Sequence, residues 1–316
     1  MYNIDDIIKK SSKILITSHI NPDGDTLGTM CALYGAIYER YKKNVDMHIN
    51  SNVPYAYRDL PFVEKAKMSY DNSLVYDLVI SVDVAAKDRM GATVVLFDKA
   101  KSTINIDHHK TNPKFADINL VESDAASAGQ VLYRYFKEND WKLNKEIAEC
   151  LYVSILTDTG GFRYENTSAE VLRIASELIE LGINPNKIFK SVYETKTKDF
   201  IMFQANAIAK AKFSKDNKIA YTTVYKKDLE KYSSTEDFTE GLVERLRVID
   251  DVEVSFIVKE IDSKTSKLSF RSKNLDVAEI CAQFGGGGHT FAAGCVMKSS
   301  VDGCIKKILS ILEEKV

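Results

Sequence analysis

A chain of 316 residues, 45% hydrophobic and 28% charged, has the balance of a globular protein with room for two domains. Its 43 Lys and Arg against 45 Asp and Glu leave a formal charge of -2, which excludes broad neutralisation of long duplex nucleic acid but allows a small anion held by a few local cations. The five cysteines (Cys31, Cys150, Cys281, Cys295, Cys304) are odd in number and form no CxxC pair, so neither a disulfide framework nor a thiolate zinc site is expected.

Residues 1 to 13 lack the apolar stretch of a signal peptide, and no apolar run approaches the roughly 20 residues of a membrane span, so a cytoplasmic location without membrane contact is expected. A short helix is predicted over residues 3 to 11. Ile14, Leu15 and Ile16 then read as a buried strand emptying into a turn with Pro22 and Gly24, and Thr26 is expected to cap the helix that runs to Tyr41. Val45 to Ile49 alternates as a second strand, in which His48 reads as a satisfied or surface histidine. Asp77 to Asp83 and Ser102 to Asp107 are apolar strands that end on acids. Continuous apolar strands interleaved with helices imply an α/β fold, a parallel sheet covered on both faces.

Helices are predicted over Ser127 to Glu138, Lys145 to Asp158, Ser168 to Leu181 and Pro185 to Tyr193, with Trp141 as a packing residue between two of them. Thr195 to Lys212, polar on one face, reads as a helical connector. The expected division is a domain over 1 to 190, a linker over 191 to 212 and a smaller domain over 213 to 316. That last part has a hairpin turn at Asp216-Asn217, a helix near Gly241 to Ile249, strands over Val252 to Ile261 and Lys267 to Arg271, a glycine cluster from Gly285 to Gly288 and a closing helix over Val301 to Lys315.

Acids and histidines collect at strand or helix ends: His19, Asp23 and Asp25; Asp83; Asp107, His108 and His109; and Asp158, in a helical run broken by Gly160-Gly161. The strands of a parallel sheet end on one edge, so clusters distant in sequence can converge there. Asp23, Asp25, Asp83 and Asp158 together would bring four negative charges, which destabilise a fold unless cations compensate, and two divalent ions would balance them. Imidazole ligands at His19 and His108 favour a first-row transition metal, Mn²⁺ ahead of Co²⁺ or Mg²⁺. Two such ions about 3.5 to 4 Å apart are the arrangement that cleaves phosphate esters through an activated water.

The ordered motifs SHINPDGDTLG, VDVAAKDRMG, IDHHKTN and TDTGGFRYENTS, followed by FRSK and FGGGGHTFAAG, resemble the DHH phosphoesterase superfamily with its DHHA1 domain. The FRYENTS and DAASAG segments are most similar to the NrnA-type oligoribonuclease and pAp phosphatase branch, which is RecJ-like but shorter. The resemblance implies an N-terminal parallel-sheet domain with helices on both faces and a C-terminal α/β domain with a mixed sheet. It implies one metal on His19, Asp23 and Asp83 and another on Asp25, Asp83, His108 and Asp158, with Asp83 bridging. His109 would stand beside the substrate phosphate as a catalytic residue, and Asp107 would orient the histidine ligands.

Arg271 offers a bidentate phosphate contact, with Ser272 beside it in FRSK and His289 as a further donor; Gly286, Gly287 and Gly288 would let backbone N–H groups approach that phosphate. Arg89 and Arg163 are further candidates for substrate contact. These features imply a phosphoesterase for RNAs of about two to five nucleotides and for pAp, held in a clamp too short for long polymers. Cyclic or linear dinucleotides are the nearest alternative substrates, inorganic pyrophosphate a weaker one, and a non-catalytic nucleotide-binding module the alternative of another class. Members of the family often pair through the N-terminal domain, so a homodimer is among the expected partners.

Overall fold

In the N-terminal part, neighbouring residues of each central strand point to opposite cores. The structure is a computed structural model that describes residues 4–232 and 237–316; residue 3, at the start of the first expected helix, lies outside the described residues. Strands β1 (Ile14–Thr17), β2 (Asp46–His48), β3 (Ala66–Lys67), β4 (Leu78–Val82), β5 (Thr103–Asp107) and β6 (Ile118–Val121) form one sheet, ordered β3-β2-β1-β4-β5-β6 and parallel throughout. Ile14, Ile16, Leu78 and Ile80 enter a cluster with Leu27, Met30 and Leu151, whereas Leu15 and Val79, one residue out of step, join Met90, Leu96 and Phe97. Burial on both faces is why these strands read as unbroken apolar runs. Strand β6 was not foreseen, because its four residues are only half-buried at the sheet edge.

Among the described residues seven α-helices complete this part: α1 (Ile4–Lys10), α2 (Gly24–Tyr41), α3 (Val94–Lys99), α4 (Ala128–Glu138), α5 (Lys145–Asp158), α6 (Ala169–Glu180) and α7 (Pro185–Phe189). Helix α2 begins earlier than expected. Its N-cap is Asp23, whose Oδ1 accepts from the backbone N–H of Thr26 at 3.0 Å, so Thr26 lies inside the first turn and does not cap it. Helices α2 and α5 pack closely because Gly28 has no side chain: a Cβ there would lie 2.6 Å from the Cys150 carbonyl oxygen and 2.8 Å from the Ser154 nitrogen. Trp141 packs as expected, stacked on Phe136 at 5.0 Å between ring centroids. His48 is buried rather than exposed. Its Nε2 is 3.5 Å from the Tyr76 hydroxyl, and its Nδ1 has no hydrogen-bond partner among the described residues.

The chain divides into two units, Met1–Thr195 and Lys196–Val316. In the second, β7 (Lys212–Phe213), β8 (Ile219–Val224), β9 (Val254–Asp262), β10 (Thr265–Ser272), β11 (Gly287–His289) and β12 (Ala292–Met297) form a mixed sheet ordered β11-β12-β10-β9-β8-β7, in which β8 and β9 run parallel and the other neighbours antiparallel. One face packs on α11 (Val277–Ala282) and α12 (Val301–Leu312) through Val254, Phe256, Leu268, Phe270, Ile280 and Ile308. Helix α8 (Lys198–Ala209), expected to be part of a connector, instead buries Phe200, Phe203 and Ala207 against Val224, Phe238, Ile257 and the Leu242 and Val243 of α10 (Leu242–Arg247). Apolar residues at three- and four-residue spacing form that stripe. The short α9 (Lys226–Leu229) completes the unit. Among the described residues no helix is long and apolar enough to cross a membrane.

Substituting Gly28 by Val should lower the free energy of unfolding by about 1 to 3 kcal/mol through overpacking of the α2–α5 contact. An unchanged urea midpoint would show that the two helices can separate without cost.

Candidate metal centre

In the order β3-β2-β1-β4-β5-β6 the chain reverses direction across the sheet between β1 and β4, and crevices for ligands open at the C-terminal ends of strands at such a point. His19 lies just past the end of β1, Asp83 directly follows β4, and Asp107 ends β5 with His108 and His109 next in the chain. Asp83 adopts φ 55°, a left-handed conformation that aspartate tolerates better than most residues. Asp23 and Asp25 belong to the start of α2, and Asp158 is the last residue of α5.

Ligand atoms of His19, Asp23 and Asp83 fall within 4.8 Å of one another, as do those of Asp25, His108 and Asp158, and those of Asp83, His108 and His109. Asp83 is common to two of these groups. Its Oδ2 is 3.4 Å from His19 Nε2 and its Oδ1 is 3.7 Å from His108 Nε2. His108 Nε2 is also 3.6 Å from Asp25 and 3.3 Å from Asp158.

Hydrogen bonds aim these groups. His19 Nδ1–H donates to the Ile20 carbonyl at 2.7 Å and His108 Nδ1–H to the Ala125 carbonyl at 3.3 Å, so both rings turn Nε2 toward the acids. Asp107, buried at the end of β5, accepts from His109 Nδ1–H at 2.8 Å and from the Asn112 amide at 2.5 Å. Asp107 was expected to orient the histidine ligands; its hydrogen bond goes to His109, and His108 Nδ1 faces the Ala125 carbonyl.

Asp25 is held most tightly. Its carboxylate accepts from Ser154 Oγ at 2.6 Å, from Thr29 Oγ1 at 3.0 Å and from the backbone N–H groups of Ala128 and Gly129 at the start of α4 at 2.8 and 3.2 Å. The positive end of the α4 dipole thus faces this acid. The Thr26 hydroxyl, 2.7 Å from His19 Nε2, donates to Asp83 Oδ2 at 2.7 Å. Ser154 and Thr29 are not among the residues the sequence points to, and Thr26 is expected there only as a helix cap. Ser154 stands one helical turn before Asp158, a spacing that shares one face of α5 and was the available signal.

The carboxyls repel one another strongly enough to separate their proton affinities. Burial and the charge of Asp83 push Asp25 up to about 7, and burial with the charges of Asp25 and Asp83 raises Asp158 well above the carboxylate range. Asp23 is raised by the same two causes as Asp25. Asp83 goes the other way: burial would raise it, but the His19 hydrogen bond and the three nearby imidazoles hold it ionised. Burial disfavours the His19 imidazolium, yet Asp83 and Asp23 carry its pKa up to about 9. The Nε2 proton of His19 and a metal ion compete for one lone pair, and a set of carboxylates and imidazoles that keeps protons near neutrality suits divalent cations.

The remaining candidates are not among the grouped ligand atoms, and several are engaged in other contacts. Arg89 is exposed, and its backbone carbonyl accepts from the Ile20 N–H at 2.9 Å. Arg163 is exposed beside the Gly160 carbonyl, to which its Nε donates at 2.6 Å. In the second unit Arg271 donates to the Phe270 carbonyl and pairs with Glu244, each at 2.8 Å. Ser272, also expected at the substrate, is buried, and its hydroxyl donates to the Leu275 carbonyl at 2.5 Å. Gly287 and His289 are exposed on β11. Gly286 and Gly288 have a packing reason, since a Cβ at either would collide with β12.

The profile of the DHH family, N-terminal domain, matches residues 13–155, and that of the DHHA1 domain matches residues 216–316. The bifunctional oligoribonuclease and PAP phosphatase NrnA of Bacillus subtilis is 28% identical over 291 residues, 90% of each chain. The protein of the same description from Thermus thermophilus is 28% identical over 305 residues, 96% of this chain and 90% of its own. Among solved structures, an exopolyphosphatase-related protein from Bacteroides fragilis superposes with a TM-score of 0.88 at 26% identity, covering 98% of this chain and 94% of its own.

Replacing Ser154 by Ala should weaken Mn²⁺ binding about 10- to 100-fold, as loss of a partner that orients a ligand does elsewhere. Titration calorimetry giving the wild-type affinity would remove Ser154 from the centre. The pH dependence follows from Asp25. Its carboxyl rises from 3.8 to about 7 on folding, so without cation the folded chain holds a proton that the unfolded chain releases, and stability falls as pH rises through that window. A divalent cation bound at Asp25 would displace the proton, and the gain in Tm on adding Mn²⁺ should therefore grow from about pH 5 to about pH 8. A gain that stays level over that range would contradict the assignment of Asp25.

Proposed function

The chain carries a DHH family N-terminal domain followed by a DHHA1 domain, and on that premise we propose a metal-dependent phosphoesterase that hydrolyses short oligoribonucleotides to mononucleotides and pAp to AMP and phosphate. The observation that carries the reading is the meeting of Asp23, Asp25, Asp83 and Asp158 with His19 and His108 at the sheet's switch point. Support for the substrates comes from the two relatives whose names describe an oligoribonuclease and PAP phosphatase and that align over nearly their whole length.

His19, Asp23 and Asp83 would hold one divalent cation, and Asp25, His108 and Asp158 with Asp83 the other, Mn²⁺ in preference to Mg²⁺ or Co²⁺ because of the imidazoles. Such ions, when bound, supply positive charge to a phosphoryl group and acidify water. The rest falls to the chain itself. His109, its Nδ1–H fixed on Asp107, presents the other ring nitrogen as a donor to the phosphoryl oxygens or as the acid that protonates the leaving oxygen. The pKa of His109 is raised, since the hydrogen bond to Asp107 and the charge of Asp83 outweigh burial, and this keeps that proton available. In the DHHA1 domain Arg271, steadied by Glu244 and the Phe270 carbonyl, is assigned a terminal phosphate, with His289 and the exposed Gly287 as further donors.

Purified protein with Mn²⁺ should consume a 5'-phosphorylated trinucleotide and pAp and should stop when a chelator is added. Loss of neither substrate from the full chain would reject the reading. Asp83→Asn should abolish turnover, because both assigned sets share this side chain, and retention of wild-type kcat would exclude it.

A further inference from the structure

The segment that follows Asp158 carries exposed rings for which the reaction chemistry has no use. Gly160, Gly161 and Phe162 take three consecutive left-handed conformations, with φ of 58°, 75° and 62°. The segment folds back over the end of α5: Gly161 N–H donates to the Leu156 carbonyl at 2.7 Å, and Arg163 and Tyr164 N–H both reach the Thr159 carbonyl, at 2.9 and 3.1 Å. Asn166 ties it down by donating to the Asp158 carbonyl at 3.0 Å.

The glycines make floor space for aromatic side chains. A Cβ on Gly160 would run into the Tyr164 ring, and one on Gly161 would sit 3.4 Å from Phe189 and 3.7 Å from Tyr193. Phe189 and Tyr193 are themselves 4.9 Å apart between ring centroids. Tyr164 nevertheless stays 46% exposed and Phe189 39% exposed. The exposed rings of Tyr38 and Tyr55, elsewhere in this unit, are covered by the cations of Lys42 and Arg58. The rings of Tyr164 and Phe189 carry no such cation among the described residues, while Arg163 Nε would lie 4.0 Å from a Cβ on Gly161, the same position that meets Phe189.

We propose that Tyr164 and Phe189, with Arg163, form a stacking platform for the nucleobase next to the phosphate held at the acid cluster; this rests on the nucleotide phosphoesterase reading above. Continuity with the centre selects the occupant. Gly160 follows Asp158 by two residues, so their Cα atoms are no more than about 8 Å apart, within the reach of one nucleotide. Every base has a π-face, so a platform of this kind binds without demanding a sequence. Arg163 adds a cation that can stack on the base or pair with a neighbouring phosphate.

The test uses the full chain with Mn²⁺, a 5'-phosphorylated adenine dinucleotide, and the same molecule with an abasic ribose in place of one nucleoside. Tyr164→Ala and Phe189→Ala should each raise KM for the adenine substrate about five- to one-hundred-fold and leave the abasic substrate unchanged, while Tyr164→Phe retains the wild-type value. Equal changes on both substrates, or no change on either, would overturn the platform. So would an altered oligomeric state of the alanine variants in size-exclusion chromatography with KM unaltered, which would make the patch a contact between copies of this chain.

Binding is read apart from turnover with a 2-aminopurine dinucleotide, whose fluorescence is quenched on stacking. A wild-type chain that quenches through Tyr164 but cleaves nothing would reject the phosphoesterase reading and keep the platform. One that cleaves without any dependence on Tyr164 would do the reverse.

Discussion

Mutual repulsion among buried carboxylates is the constraint on which the N-terminal unit depends. Asp25 and Asp83 are almost fully buried, and Asp23 and Asp158 lie close enough to disturb their protonation. Such an arrangement persists only when other parts of the fold over-determine it. The parallel sheet fixes Asp83, the first turn of α2 fixes Asp23 and Asp25, and the packing of α5 on Gly28 brings Ser154 and Asp158 to the same place. Hydrogen-bond donors then meet the acids one by one, four of them on Asp25 alone. A cation bound there would find ligands already aimed, so little ordering entropy stands against binding.

Asp83 is pivotal because it lies among all three histidines of the cluster. Hydrogen-bonded by Thr26 and flanked by His19, His108 and His109, it stays ionised while its neighbours gain protons. One acid pushed down and three pushed up is how four carboxylates divide their protons when they cannot all be charged. The second unit solves a smaller version of the problem: Arg271 is tethered by Glu244 and a carbonyl, which fixes the guanidinium plane at some cost in free donors.

Much of this was legible in the residues because the strands at the switch point are buried on both faces and end on acids. ILI, DLVISVD and STINID could hardly be read otherwise, and the helices from Ser127 onward carry clear caps at Ser127, Asn144 and Ser168. What escaped depends on tertiary contact. The sequence points to Thr26 as the cap of α2 because Asp23 reads first as a metal ligand, yet the Asp23 Oδ1 is the capping group. Ser154 is an ordinary residue within an apolar helix until Asp25 arrives from residues distant in the chain. Helix α8 has charges enough to read as a connector, and only its partners at Phe238 and Ile257 show which face is core. Gly286 and Gly288 suggested phosphate, but the nearest atoms they accommodate belong to β12.

The central claim is that the acid cluster is a dinuclear metal centre. Its most direct test is the anomalous diffraction of manganese in crystals of the full chain grown with Mn²⁺. Two peaks are predicted, one bounded by His19, Asp23 and Asp83 and the other by Asp25, His108 and Asp158, with Asp83 reaching both. A map with no peak among these side chains, or with manganese bound only elsewhere on the surface, would contradict the account.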